Sequence, residues 1–170
     1  MKDHLVVDGY NVIFNSPELK DLNDLEHARA RLIDTLVNFA ALAGQRVTVV
    51  FDAHSVPGGV ARTERHGPVE VIYTSEGETA DTVIERLVGR LSGWPAPVFV
   101  VTADYVEQRV VLGLGAYRVP PGEFWEKVRR LSRESFIHHR DKPADSYLEN
   151  RLEERTRAAL EAWRRKKPHG

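Results

Sequence analysis

The chain has 170 residues, 24 Lys/Arg against 25 Asp/Glu for a net charge of −1, 42% hydrophobic residues and no cysteine. That length and composition suit a globular protein with a full core and exclude wholesale disorder. The missing cysteine excludes thiolate zinc sites, cysteine nucleophiles and any disulfide-linked partner. No apolar run approaches a membrane span, and the N-terminal MKDHLVVD meets an acid before a signal-peptide core could form; a cytoplasmic protein with no membrane partner is the expectation.

In chain order, Leu5-Val6-Val7 is a short apolar run that ends in the turn signal Asp8-Gly9, after which Val12-Ile13-Phe14 resumes burial. Asn23–Ala43 carries Leu25, Ala28, Leu32, Leu36, Phe39 and Leu42 at helical spacing, with Gly44 as a stop. Val47–Phe51 reads as a strand buried on both faces, and it too ends in an acid, Asp52. Ala53–Pro68 has no period and several Pro and Gly, which predicts a long mobile loop bearing Arg62, Arg65 and His66.

Val69–Tyr73 is a third strand, and Val83, Ile84, Leu87, Val88 and Leu91 form the apolar face of a helix closed by Gly93-Trp94-Pro95. Val98–Val101 is a fourth strand running through Thr102-Ala103 into Asp104 and a helix over Val106–Leu114; Tyr117–Val119 is a fifth, followed by a helix over Glu123–Leu131. A polar join at Ser132–Lys142 leads to one long charged helix, Pro143–Lys167. Strand and helix alternate, so the expected fold is α/β, with a mostly parallel five-stranded sheet of order 3-2-1-4-5 covered on both faces. Residues 1–132 form the main domain and 133–170 a helical extension packed on it. The charge follows that division: 14 Lys/Arg against 18 Asp/Glu in the first part, 10 against 7 in the second. The basic end, Arg164-Arg165-Lys166-Lys167, either pairs with phosphates or is a solvated helix terminus.

In such a sheet the strand ends bring Asp8, Asp52 and Asp104 to one edge, and Asp81 opens the helix after the third strand. Crowded carboxylates repel unless a cation neutralises them, and Mg²⁺ or Mn²⁺ prefers such oxygen ligands. The matching chemistry is metal-assisted hydrolysis of a phosphodiester. Each acid also has a plain structural use. Asp8-Gly9 is a turn, Asp104 with Glu107 matches a capping box, and Ser75 with Glu78 matches another. His54 and His66 are weaker candidates for proton transfer; no His pair has zinc-site spacing, and His138-His139 read as surface residues. Tyr10 and Trp94 suit either base stacking or the core.

The segments VDGYNVIF at 7–14, VVFDAH at 49–54, TSEGETADTVIE at 74–85 and VVTADYVEQ at 100–108, in that order and spacing, resemble the YacP-like ribonuclease branch of the NYN-domain family, relatives of the PIN-like nucleases. The resemblance covers Leu5 to about Leu160. It implies a PIN-like three-layer α/β/α sandwich, a divalent-metal site and endonucleolytic hydrolysis of single-stranded RNA, in mRNA processing or decay, with mRNA on the ribosome as one expected form of the substrate. By position, Asp8, Asp52, Asp81 and Asp104 match the acidic metal site, Asn11 joins Asp8, Asp81 and Asp104 as a catalytic residue, and Glu78 and Thr102 are supports. It gives Arg62, Arg65, Arg164, Arg165, Lys166 and Lys167 a use as RNA contacts, since phosphates must be held against the repulsion of the acids. Two other functions stay open: an RNA-binding module that does not cut, and a HAD-type phosphatase. The phosphatase needs a second acid two residues after the first, where this chain has Tyr10.

Overall fold

A computed structural model describes residues 2–22, 24–52, 60–93 and 95–140 of the chain. By internal contacts the chain divides into Met1–Ser132 and Arg133–Gly170. His54, Trp94, the predicted helix over Pro143–Lys167 and the basic cluster at 164–167 lie outside the described residues.

The elements are β1 (His4–Asp8), α1 (Gly9–Phe14), α2 (Leu25–Ala43), β2 (Arg46–Phe51), β3 (Arg62–His66), β4 (Val69–Tyr73), α3 (Ala80–Leu91), β5 (Val98–Val101), α4 (Tyr105–Gly113), β6 (Tyr117–Val119) and α5 (Pro121–Arg140). They build an α/β fold around a mixed sheet of order β3-β4-β2-β1-β5-β6. Five strands run parallel, and β3 pairs antiparallel with β4.

The sheet therefore has six strands, one more than the sequence predicts. The extra one, RTERH, lies inside the segment that reads as a loop. As an edge strand it needs no apolar face, and its charged side chains discourage further pairing. Gly67, at φ +56°, turns the chain from β3 into β4.

Alternation along the inner strands sends side chains to two cores. Leu5, Val7, Val47, Val49, Phe51, Val69 and Val71 meet α2 and the start of α5 on one face. Val6, Val50, Val98 and Val100 meet α3 and α4 on the other. With β1 central, nearly every side chain of β1 and β2 is shielded on both sides, hence their unbroken apolar runs.

Three local expectations change. Residues 9–14 form a helical turn with Tyr10, Val12 and Ile13 buried and Phe14 exposed, so burial does not extend through Phe14. Gly9 is required by close approach, because a Cβ there would lie 2.3 Å from the Phe51 ring. No positive φ is involved; the chain enters a helix at this point with ordinary dihedrals. The polar join does not break the last helix either: α5 runs on to Arg140, since no Gly or Pro interrupts residues 123–142.

Candidate metal centre

The carboxyl end of β1 delivers Asp8 to the sheet edge on the α3 and α4 side, where it is 9% exposed. Asp81 projects from the first turn of α3, and Glu107 from the first turn of α4. Carboxylate oxygens of these three lie within 4.8 Å of one another, Asp8 and Glu107 buried and Asp81 exposed.

Burial first, then the neighbouring Asp81, Asp104 and Asp52 charges, push the Asp8 pKa up to about 7, against a contrary pull from the Asn11 backbone N–H. Burial likewise raises Glu107 to about 8, opposed by its Thr102 hydrogen bond and reinforced by Asp8, Asp81 and Asp104. Asp81 is raised by partial burial and then by Asp104, Asp52 and Glu85.

From sequence, Glu107 is the partner of Asp104 in a capping box, and only half of that box forms. Asp104 Oδ1 accepts from the Val106 and Glu107 N–H groups at 2.8 and 3.3 Å, but the Glu107 carboxylate turns inward. Thr102 Oγ1 donates to Glu107 Oε2 at 2.6 Å, while Oε1 is buried with no hydrogen-bond partner. A buried acceptor left open costs about 1–3 kcal/mol unless something occupies it. Three convergent carboxylates with an open, inward oxygen fit a hard divalent cation, and Asp8, Asp81 and Glu107 could hold one. The sequence carries one signal for this: Glu107 shares the buried face of α4 with Val111, four residues on.

The other predicted residues surround this centre. Asp52 Oδ2 accepts from the Ala80 N–H at 3.2 Å, joining the end of β2 to the start of α3. Asp52 and Asp104 thus engage oxygens with backbone donors while their charges reach Asp8 and Asp81. Asn11 Oδ1 accepts from the Ala103 N–H at 2.8 Å, tying α1 to the loop after β5. Thr102 is fully buried, and its hydroxyl both donates to Glu107 and accepts from the Asp104 N–H at 3.1 Å. Arg118 Nε donates to the Thr102 carbonyl at 2.9 Å, fixing the same loop from β6.

Glu78 is not a helix cap. Thr79 caps α3, and the Glu78 carboxylate accepts from Arg86 and from Ser75 Oγ at 3.1 Å, which in that order lower its pKa. Tyr10 is a core residue whose hydroxyl accepts from Arg29 Nη1 at 2.9 Å.

The two loop arginines separate. Arg62 sits opposite Tyr73, at the acidic edge, with its guanidinium 4.3 Å from the Tyr73 ring centroid and paired with Glu64. Arg65 sits opposite Glu70, on the other face and toward the far edge. His66 ends β3 at that far edge, 3.0 Å from Glu64, which removes it from the acidic crevice. His138 and His139 are exposed on α5.

A YacP-like NYN domain is matched over residues 5–165. The chain is 41% identical over 169 residues to YacP of Bacillus subtilis (strain 168), covering 96% of this chain and 97% of that one. The crystal structure of Rae1 (YacP) from Bacillus subtilis is similar at a TM-score of 0.73 and 38% identity, covering 96% of this chain and 95% of that one. A tryptophan-to-leucine mutant of the same protein gives a TM-score of 0.73 at 37% identity, over 94% of this chain and 98% of that one. Matched over nearly its whole length, the chain belongs to the YacP-like NYN domain family.

Proposed function

We propose that this protein is a divalent-metal-dependent endoribonuclease that hydrolyses single-stranded RNA, with mRNA as its substrate. NYN domains are nuclease-type, and the observation that carries the reading is the convergence of Asp8, Asp81 and Glu107 with Glu107 Oε1 left open. On this reading the sheet and its helical layers are a PIN-like α/β/α sandwich with an added edge strand.

Asp8 and Glu107 would hold Mg²⁺ or Mn²⁺ from the protein side and exposed Asp81 from the solvent side, where a phosphodiester can approach. When bound, the cation supplies Lewis-acid chemistry, activating an attacking water and steadying the leaving oxygen. Thr102 engages Glu107 Oε2 and leaves Oε1 without a hydrogen-bond partner, and Asn11 fixes the loop that carries both Thr102 and Asp104. Asp52 and Asp104 add negative field at Asp8, which raises its pKa in the metal-free protein and likewise attracts a cation. Arg62, at the same end of the sheet as the acids but on its α2 face, is one described cation that this reading assigns to the RNA backbone.

The HAD-type alternative loses ground because Tyr10 occupies the position of its second acid and is buried in the core. End-labelled single-stranded RNA incubated with protein and Mn²⁺ should be cut internally, and EDTA or Asp8→Asn should abolish the cutting. RNA that is bound but left intact across several metals would favour the non-catalytic binding module.

A further inference from the structure

The edge of the sheet opposite the acids carries its own charged cavity. On the face that α3 covers, the apolar strip Val6, Val50 and Ile72 gives way at the amino-terminal strand ends to His4, Thr48 and Glu70. His4 Nε2 and Thr48 Oγ1 are 2.8 Å apart. Over this polar floor lies a cavity of about 280 Å³, lined also by Arg46 from the start of β2, Arg65 from β3 and Arg90 from the last turn of α3. Glu70 is the one acid in the lining among the described residues.

A solvated sheet end would account for a scattered arginine or two. It does not account for arginines from three elements lining one concavity, where like charges repel. Among the described residues no ion pair or side-chain hydrogen bond engages Arg65 or Arg90, and Glu70 forms no ion pair with either. A single carboxylate ligand would be satisfied by one guanidinium fork. A tetrahedral anion of higher charge, with three or more oxygens, matches several.

We propose that the cavity bounded by Arg46, Arg65 and Arg90 above His4 and Thr48 is a binding site for a phosphoryl group. The site does not depend on the nuclease reading. Along β1, His4 and Asp8 are four residues apart, about 13 Å, so an anion here does not share the metal centre. The phosphoryl group can come from a free nucleotide-sized compound or from the 5′ end of an RNA.

His4 reports on the site directly. Burial, and then Arg46, lower its pKa to about 4, and the groups facing it across the cavity are Arg46, Arg65, Arg90 and Glu70. An anion seated among the arginines should make the imidazole titrate at higher pH. The test is NMR of the full-length protein in EDTA, following the His4 ring during titration with inorganic phosphate, AMP, and a short single-stranded RNA bearing either a 5′-phosphate or a 5′-hydroxyl.

Saturable His4 shifts are expected with phosphate and AMP, weakened about tenfold by Arg90→Gln and by Arg46→Gln. Arg90 is exposed, so its variant should keep a wild-type amide spectrum. Tighter binding of the 5′-phosphorylated RNA than of AMP, with no shift from the 5′-hydroxyl RNA, assigns the group to an RNA end. AMP binding at least as tightly assigns it to a free ligand. No saturable His4 shift with any probe, or saturation unchanged in both variants, overturns the proposal.

Discussion

Asp8 and Glu107 are acids whose surroundings favour their neutral forms, and this gives the metal-free protein a defined pH response. Their folded pKa values, about 7 and about 8, lie above the ordinary 3.8 and 4.5, so the native state binds more protons than the unfolded state across that window. Stability should therefore fall as pH rises from about 4 to about 8. For Asp8 alone the full loss is up to about 4 kcal/mol. Urea unfolding in EDTA should show a lower midpoint at pH 8 than at pH 5. Asp8→Asn should flatten that profile and exceed wild type at pH 8 by about 2 kcal/mol. Added Mn²⁺ should restore wild type most strongly at the higher pH. A wild-type midpoint that rises with pH in EDTA would contradict the placement of these acids.

At the level of elements, the loop from Thr102 to Asp104 sets the geometry of the centre. One hydroxyl, Thr102 Oγ1, serves both Glu107 and the Asp104 N–H. Thr102→Val keeps the shape and removes the donor, so it should cost about 1–3 kcal/mol in chemical denaturation and lower the cleavage rate with it. Unchanged stability would mean that Glu107 does not need Thr102. The same scale explains what is legible in the sequence. The inner strands declare themselves because burial on both faces demands apolar runs, and α2 because Gly44 closes a clear 3.6-residue period. β3 is invisible because an edge strand can be charged throughout. The end of α5 escapes the pattern because polarity suggests a break where no helix-breaking residue stands. Asp8, Asp52, Asp81 and Asp104 are legible as acids of one edge, but which oxygens remain open depends on backbone N–H groups that no pattern of side chains reports. Glu107 is hidden by its own motif, since a capping box explains an acid at that position equally well.

Across the whole molecule, the parallel strands send carboxylates to one edge of the sheet and gather arginines at the other. The antiparallel β3 divides Arg62 from Arg65 between those two edges. That polarity leaves few described cations beside the acids; on the proposed function the basic terminus at 164–167 is expected to take part in RNA binding. Deleting residues 164–170 should weaken RNA binding and reduce its salt dependence by about 0.7 in log–log slope for each phosphate the terminus neutralises, with the thermal transition unchanged. An identical slope would exclude the terminus from the interface. Whether Glu107 completes the metal centre with Asp8 and Asp81 is decided by the single-turnover cleavage rate of Glu107→Gln on end-labelled single-stranded RNA as Mn²⁺ is raised. A loss of at least about a hundredfold is expected, with the metal dependence displaced to higher concentration. A rate within about twofold of wild type at the same Mn²⁺ would contradict that role for Glu107.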